Sequence, residues 1–317
     1  MATYKGIQGY SVQKLSSDPT ASSDTAGQLW YNSTSGKFKI AVAGAGSWAT
    51  GGEVNTKRSE PGGAGTQSAG MIFAGEPPNT TNTEQYDGST WTEVNNLNTA
   101  RFAPGGGGTQ TAAMCFGGNP PALDVSETWN GTSWTEGNNL TTARGRAAAS
   151  QSGTPTAMLF FGGGSESPTT GATELWNGTS WSEVADLNTA RWFLGGVGTS
   201  TAALAIGGET TLNETETWNG TSWTEVNNLN TGRNKMGGAG STTAGLIFGG
   251  SPGGTVNTEK WDGTSWTEVA NLAAVRFENA GMGTSSIALS GAGNPSPGPS
   301  CEEWNDPVYT IKTVTVS

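Results

Sequence analysis

The chain has 317 residues, with 50 glycines, 13 tryptophans, no histidine and a formal net charge of −11. So many tryptophans exclude a disordered chain, and the acidic balance excludes nucleic acid and an anionic membrane surface as partners. A chain without histidine can build neither a His-based triad nor a His-ligated metal site. Cys115 and Cys301 stand alone, in no metal-binding spacing, so no metal and no cofactor is expected.

Residues 1–45 come first. MATYKGIQGY lacks the apolar stretch of a secretory signal, and no later run approaches the ~18 apolar residues of a membrane helix. A polar stretch follows, then LWYNSTSGKFKI, which reads as a hairpin. This segment is expected not to bury a core alone, which points to an attachment or oligomerisation arm.

Residues 46–317 are repetitive. Segments such as TWTEVNNLNTAR and SWSEVADLNTAR align on Trp48, Trp91, Trp134, Trp181, Trp223 and Trp266, spaced 43, 43, 47, 42 and 43 residues apart. Ten residues after each lies an arginine: Arg58, Arg101, Arg144, Arg191, Arg233 and Arg276. An apolar run ending in small residues follows (AMCFGG, AGLIFGG), then a Glu-x-aromatic, as in Glu84/Tyr86, Glu127/Trp129, Glu174/Trp176, Glu216/Trp218 and Glu259/Trp261; the sixth copy is EEW at Glu302, Glu303 and Trp304.

Each cycle reads as four short strands. Strand a is the Gly-rich segment after the arginine, where inner strands crowd around an axis. Strand b is the apolar run, c carries the Glu and its aromatic, and d carries the aligned Trp. NGTS or DGTS between c and d predicts a tight hairpin of type I′. Four antiparallel strands per repeat of this length predict an all-β propeller of six blades. The d strand at Trp48 has no c strand before it, and CEEW at the C-terminus lacks a GTSW, so the ends can pair to close the ring. Tyr309 offers a competing d strand, which leaves seven blades open.

The order of apolar-Gly-Gly, c aromatic and d Trp resembles the kelch and galactose-oxidase-like propellers from about Gly46 to Tyr309. The copper site of galactose oxidase needs histidine, so that activity is excluded here. The leader ending in GQLWYNSTSGKFKI resembles N-terminal segments of tailed-phage fibre and other virion proteins. The NLNTAR and NGTSW propeller itself resembles proteins of marine phages. This second resemblance implies a virion component, synthesised in the host cytoplasm: a tail fibre or surface decoration present in several copies. Its arm would contact other virion proteins, and its propeller a host glycan or receptor, without catalysis. A glycan depolymerase and a cellular kelch-type interaction module are the alternatives.

The repeated residues have a bland reading. Arg101, Arg144, Arg191, Arg233 and Arg276 are expected to pair with a glutamate and tie a d–a corner to a neighbouring strand, rather than to ring an anionic sugar. Trp91, Trp134, Trp181, Trp223 and Trp266 are expected to pack between blades rather than to stack on sugars. Asn130, Asn177 and Asn219 form sequons, and Asp262 superficially an Asp-box, but the c–d turn accounts for them. Glu166 and Asp124 are acids off the repeat register. The b–c loops (EPPNTTN, NPPALDVS and their counterparts) vary most and share a face with the d–a corners. The candidate binding residues on that face are Trp192, Phe102, Phe277 and Arg146, with the aromatics after the arginines rimming a channel mouth.

Overall fold

The computed structural model describes residues 12–164, 169–295, 301–307 and 309–315, so Glu166 lies outside the described residues. Among the described residues the fold is all-β and propeller-like, with seven four-stranded sheets. The chain divides into two compact units: residues 47–305, and residues 1–46 together with 306–317.

The apolar runs form the second strand of each sheet in the larger unit. In Ala69–Phe73, Met71, Ile72 and Phe73 are wholly buried in succession, which happens when a strand is covered on both faces. The d strands are largely exposed instead: in Trp91–Val94 the Trp is buried and Thr92 and Glu93 face solvent. Six sheets follow one another in a closed circle. The inner strand Gly62–Thr66 adjoins Gly105–Thr109, and the series continues through Ala148–Ala149, Gly195–Thr199, Gly237–Gly240 and Ala280–Gly283 back to Gly62–Thr66. Glycine is required where these strands meet: a Cβ on Gly281 would lie 2.1 Å from the Gly238 carbonyl oxygen.

The two ends of this unit pair with each other. Ser47–Thr50 is the outer strand of the sheet that contains Cys301–Asn305, with Trp48 opposite Trp304. Tyr309 supplies no d strand. Tyr309–Thr313 pairs instead with Lys37–Ala43, which pairs with Leu29–Asn32, and Gln13–Leu15 lies parallel on the far edge. Residues 306–317 therefore belong with the N-terminal segment rather than with the repeats. Joined by that strand, the segment buries Trp30 and Ala41. Asp18 accepts hydrogen bonds from Asn32 Nδ2 (2.6 Å) and Trp30 Nε1 (3.0 Å), which hold its carboxyl below the usual range.

The tryptophans fill the space between sheets. The c and d aromatics of one sheet lie side by side, as in Trp129–Trp134 at 5.5 Å between centroids and Trp261–Trp266 at 5.3 Å. The c indole donates to an a–b turn of its own sheet (Trp218 to Ser200 O, 3.1 Å). The d indole reaches the preceding sheet, Trp134 to Thr83 Oγ1 and Trp181 to Ser126 Oγ, both at 3.0 Å. The N–H groups of these indoles are thus used inside the scaffold. The c–d turns are not type I′: positive φ occurs at the glycine alone (Gly131, φ 95°), and Asn130 Oδ1 accepts from the Thr132 and Ser133 amides instead. Asp262 does the same with Thr264 and Ser265.

Each repeated arginine sits in a d–a corner and meets the c-strand glutamate of the sheet that follows. The pairs are Arg58–Glu84, Arg101–Glu127, Arg144–Glu174, Arg191–Glu216, Arg233–Glu259 and Arg276–Glu302. No arginine of the six is more than 4% exposed, so none offers its guanidinium to a ligand. Burial lowers the pKa of Arg191, with Glu216 opposing the shift. Glu216 accepts in addition from the Asn188 amide, Asn188 Nδ2 and the Thr189 amide. Arg191→Ala leaves that carboxylate buried without its cation, and we expect a loss of roughly 3–5 kcal/mol in urea denaturation. A melting temperature equal to the native chain's would overturn this role.

Candidate functional site

The two residues after each arginine have different backbone fates. The first bridges to the b–c loop: Ser59 with Glu76, Phe102 with Asn119, Gly145 with Gly164, Asn234 with Ser251 and Phe277 with Asn294. The fourth copy differs only in form, Trp192 O accepting from the Glu209 amide at 2.9 Å. These bonds place the b–c loops and the d–a corners on one face.

The second residue turns into the left-handed region. Glu60, Ala103, Arg146, Phe193, Lys235 and Glu278 have φ between 50° and 57°, which is unfavourable for side chains of this kind. Their compensation is mutual. The Ala103 amide donates to Glu60 O, Arg146 to Ala103 O, Phe193 to Arg146 O, Lys235 to Phe193 O, Glu278 to Lys235 O, and Glu60 to Glu278 O, all at 2.7–3.1 Å. Six backbone hydrogen bonds thus form a closed ring with a different environment at nearly every position.

Three of the four sequence candidates meet on this ring. The Arg146 guanidinium lies 5.2 Å from the Trp192 ring centroid and 5.7 Å from that of Phe102. Phe277 occupies the corresponding place three repeats away from Arg146. Of the ring positions the sequence names Arg146 alone, because the residue directly after each arginine carries the more visible variation. The usable signal was the position twelve residues after each d Trp, which reads Glu, Ala, Arg, Phe, Lys, Glu in an otherwise repetitive context. Phe193 gives Arg146 a third aromatic face at 5.1 Å and also lies 4.4 Å from Lys235 Nζ.

Glu60, Arg146, Phe193, Lys235, Glu278 and Asn279 are among the residues that line a cavity of about 100 Å³. Lys235 Nζ bonds Glu278 Oε1 at 2.5 Å, and Asn294 Nδ2 bonds Glu278 Oε2 at 2.8 Å. Glu60 is only 9% exposed, and its Oε2 finds no hydrogen-bond partner among the described residues. Burial, and then the charge of Glu278, push the Glu60 carboxyl up to about 8, while Arg146 and Lys235 pull the other way. Glu76, in the adjoining b–c loop, is raised by burial and by Glu278. Among the described residues no group of three or more His, Cys, Asp or Glu side chains is placed to hold a metal ion. The Cys115 and Cys301 thiols are buried and pushed up to about 12, which suits packing rather than reactivity.

No protein-family model matches the chain, and no curated protein matches it.

The Glu60 carboxyl ionises near 4.5 in an ordinary setting and near 8 in the fold. Between those values the folded chain holds a proton that the unfolded chain has lost, so stability falls as pH rises and the loss is complete above about 8. Glu60→Gln removes the ionising group. Its melting temperature should exceed the native chain's above pH 8, and the gap should close toward pH 4. A difference independent of pH refutes the protonated, buried state of Glu60.

Proposed function

We propose that this chain is a non-catalytic component of a phage virion, a tail fibre or surface decoration. It carries a six-bladed, kelch-like propeller that adheres to a host surface or decorates the particle. The observation that carries the reading is the contrast inside each repeat. Arg, Glu and the paired aromatics recur and are buried in the scaffold, whereas the ring positions differ in charge, size and polarity. A surface that varies on a fixed frame is suited to recognition.

The kelch likeness rests on the apolar-Gly-Gly strand, the c and d aromatics and the closure by the two ends. Attachment falls to the smaller unit, a sheet built from both ends of the chain and outside the repeats. It would contact other virion proteins or further copies of itself. The net charge of −11 keeps nucleic acid off the list of partners.

One observation favours a glycan-acting enzyme as the second reading. Glu60 and Glu278 line one cavity, and the Glu60 carboxyl stays protonated near neutral pH, as a general acid would. Against it, Glu278 is already engaged by Lys235 and Asn294, and about 100 Å³ is small for a bond flanked by two sugar rings.

Antibody raised against the chain should decorate purified phage particles in electron micrographs, and the intact chain should bind host cells. Particles without label would favour the cellular module. Release of reducing ends from host polysaccharide would replace adhesion by hydrolysis.

A further inference from the structure

Three residues that line the ring cavity carry polar atoms that the fold leaves unpaired. Glu60 Oε2, Arg146 Nε and Asn279 Oδ1 are buried and find no hydrogen-bond partner among the described residues. Asn279 is itself held in place, its Nδ2 donating to Ser290 Oγ at 2.9 Å. A buried polar group without a partner costs about 1–3 kcal/mol, so three on one small cavity amount to a standing preference for a ligand that bonds them. The set is mixed: Arg146 Nε only donates, Asn279 Oδ1 only accepts, and a protonated Glu60 does both.

The charges around the cavity already balance. Arg146 and Lys235 carry two positive charges, and Glu76 and Glu278 two negative ones, while Glu60 is held neutral by its burial. A ligand with net charge would upset that balance, and an anionic polymer would also meet the field of a chain at −11. Hydroxyl groups donate and accept without charge. Two neighbouring hydroxyls offer two donors together with acceptor lone pairs, which matches the mixed set of atoms here. The Arg146 guanidinium lies over the rings of Phe102 and Trp192, so a ligand that engages Arg146 changes the surroundings of the Trp192 indole.

We propose that this cavity is the binding site for a vicinal diol of a neutral saccharide unit, contacted by Arg146, Glu60 and Asn279. The assignment rests on the reading of the ring face as the contact surface and names what that surface recognises.

The test titrates glucose, galactose and mannose against the intact chain, with glucuronate and glucosamine as charged controls. It reads the Trp192 indole N–H resonance and saturation transfer, neither of which needs a variant. At least one neutral hexose should bind at tens of millimolar or better and shift Trp192. The matching uronate and hexosamine should bind at least about threefold more weakly below pH 8. Arg146→Met should weaken binding about tenfold. Glu60→Gln should stay within about threefold, because an amide replaces a neutral acid, and should abolish the fall in affinity above pH 8.

Stronger binding of a charged control, no binding by any hexose, or an unmoved Trp192 resonance each overturns the site. Attachment of the chain to host polysaccharide that survives Arg146→Met sinks the site and leaves adhesion standing. Hexose binding without any attachment to host cells or polysaccharide does the reverse.

Discussion

A buried guanidinium facing a buried carboxylate relies on further hydrogen bonds to both, and here those bonds come from segments far apart in the chain. Glu84 accepts from Arg58 Nη1, the Asn55 and Thr56 amides and Asn55 Nδ2. Arg101 donates to Glu127 and also to the carbonyls of Gly117, Val125 and Thr99. One side chain therefore fixes the d–a corner, the b–c loop and the c strand of the next sheet together. Each of the six corners so restrained contributes one link of the backbone ring.

The same logic explains why the repeat could be read so far from the sequence alone. Trp134, Arg101 and Glu127 each serve one scaffold role that requires one residue type, so they recur at a fixed spacing and announce the strands. Closure was legible as a choice, because Trp48 lacked a c strand and Trp304 lacked a d strand. What decided it was outside the repeat: Lys37–Ala43 offered an edge that the strand beginning at Tyr309 could join, and the spacing after Trp304 carried no trace of that edge.

The candidate site was legible only in part, for a physical reason. Phe102 and Trp192 stood out as large aromatics in a corner, and Arg146 as an extra cation. The inward turn at the following residue is set by φ near 50°, a conformation for which Glu60, Phe193 and Lys235 have no intrinsic preference. Tertiary hydrogen bonds impose it, so no local pattern predicts it. The c–d turns teach the converse. Asn130-Gly131 carried a strong local signal, yet the asparagine oxygen bonded its own turn amides, and only the glycine took positive φ.

Division of labour within the repeat has a consequence for how such a molecule changes. Because the ring is held by backbone amides and carbonyls, its side chains are free of the task of holding it. Ala103 and Phe193 occupy equivalent places with nothing in common but the left-handed turn, and Glu278 and Lys235 differ in sign while making successive links of the same circle. Substitution at a ring position exchanges one side chain for another at little cost to the backbone ring, whereas substitution of a corner arginine weakens the frame itself. Variation on this scaffold is therefore expected to be tolerated in the ring and the b–c loops beside it, and the stability of the chain to reside in the residues that repeat.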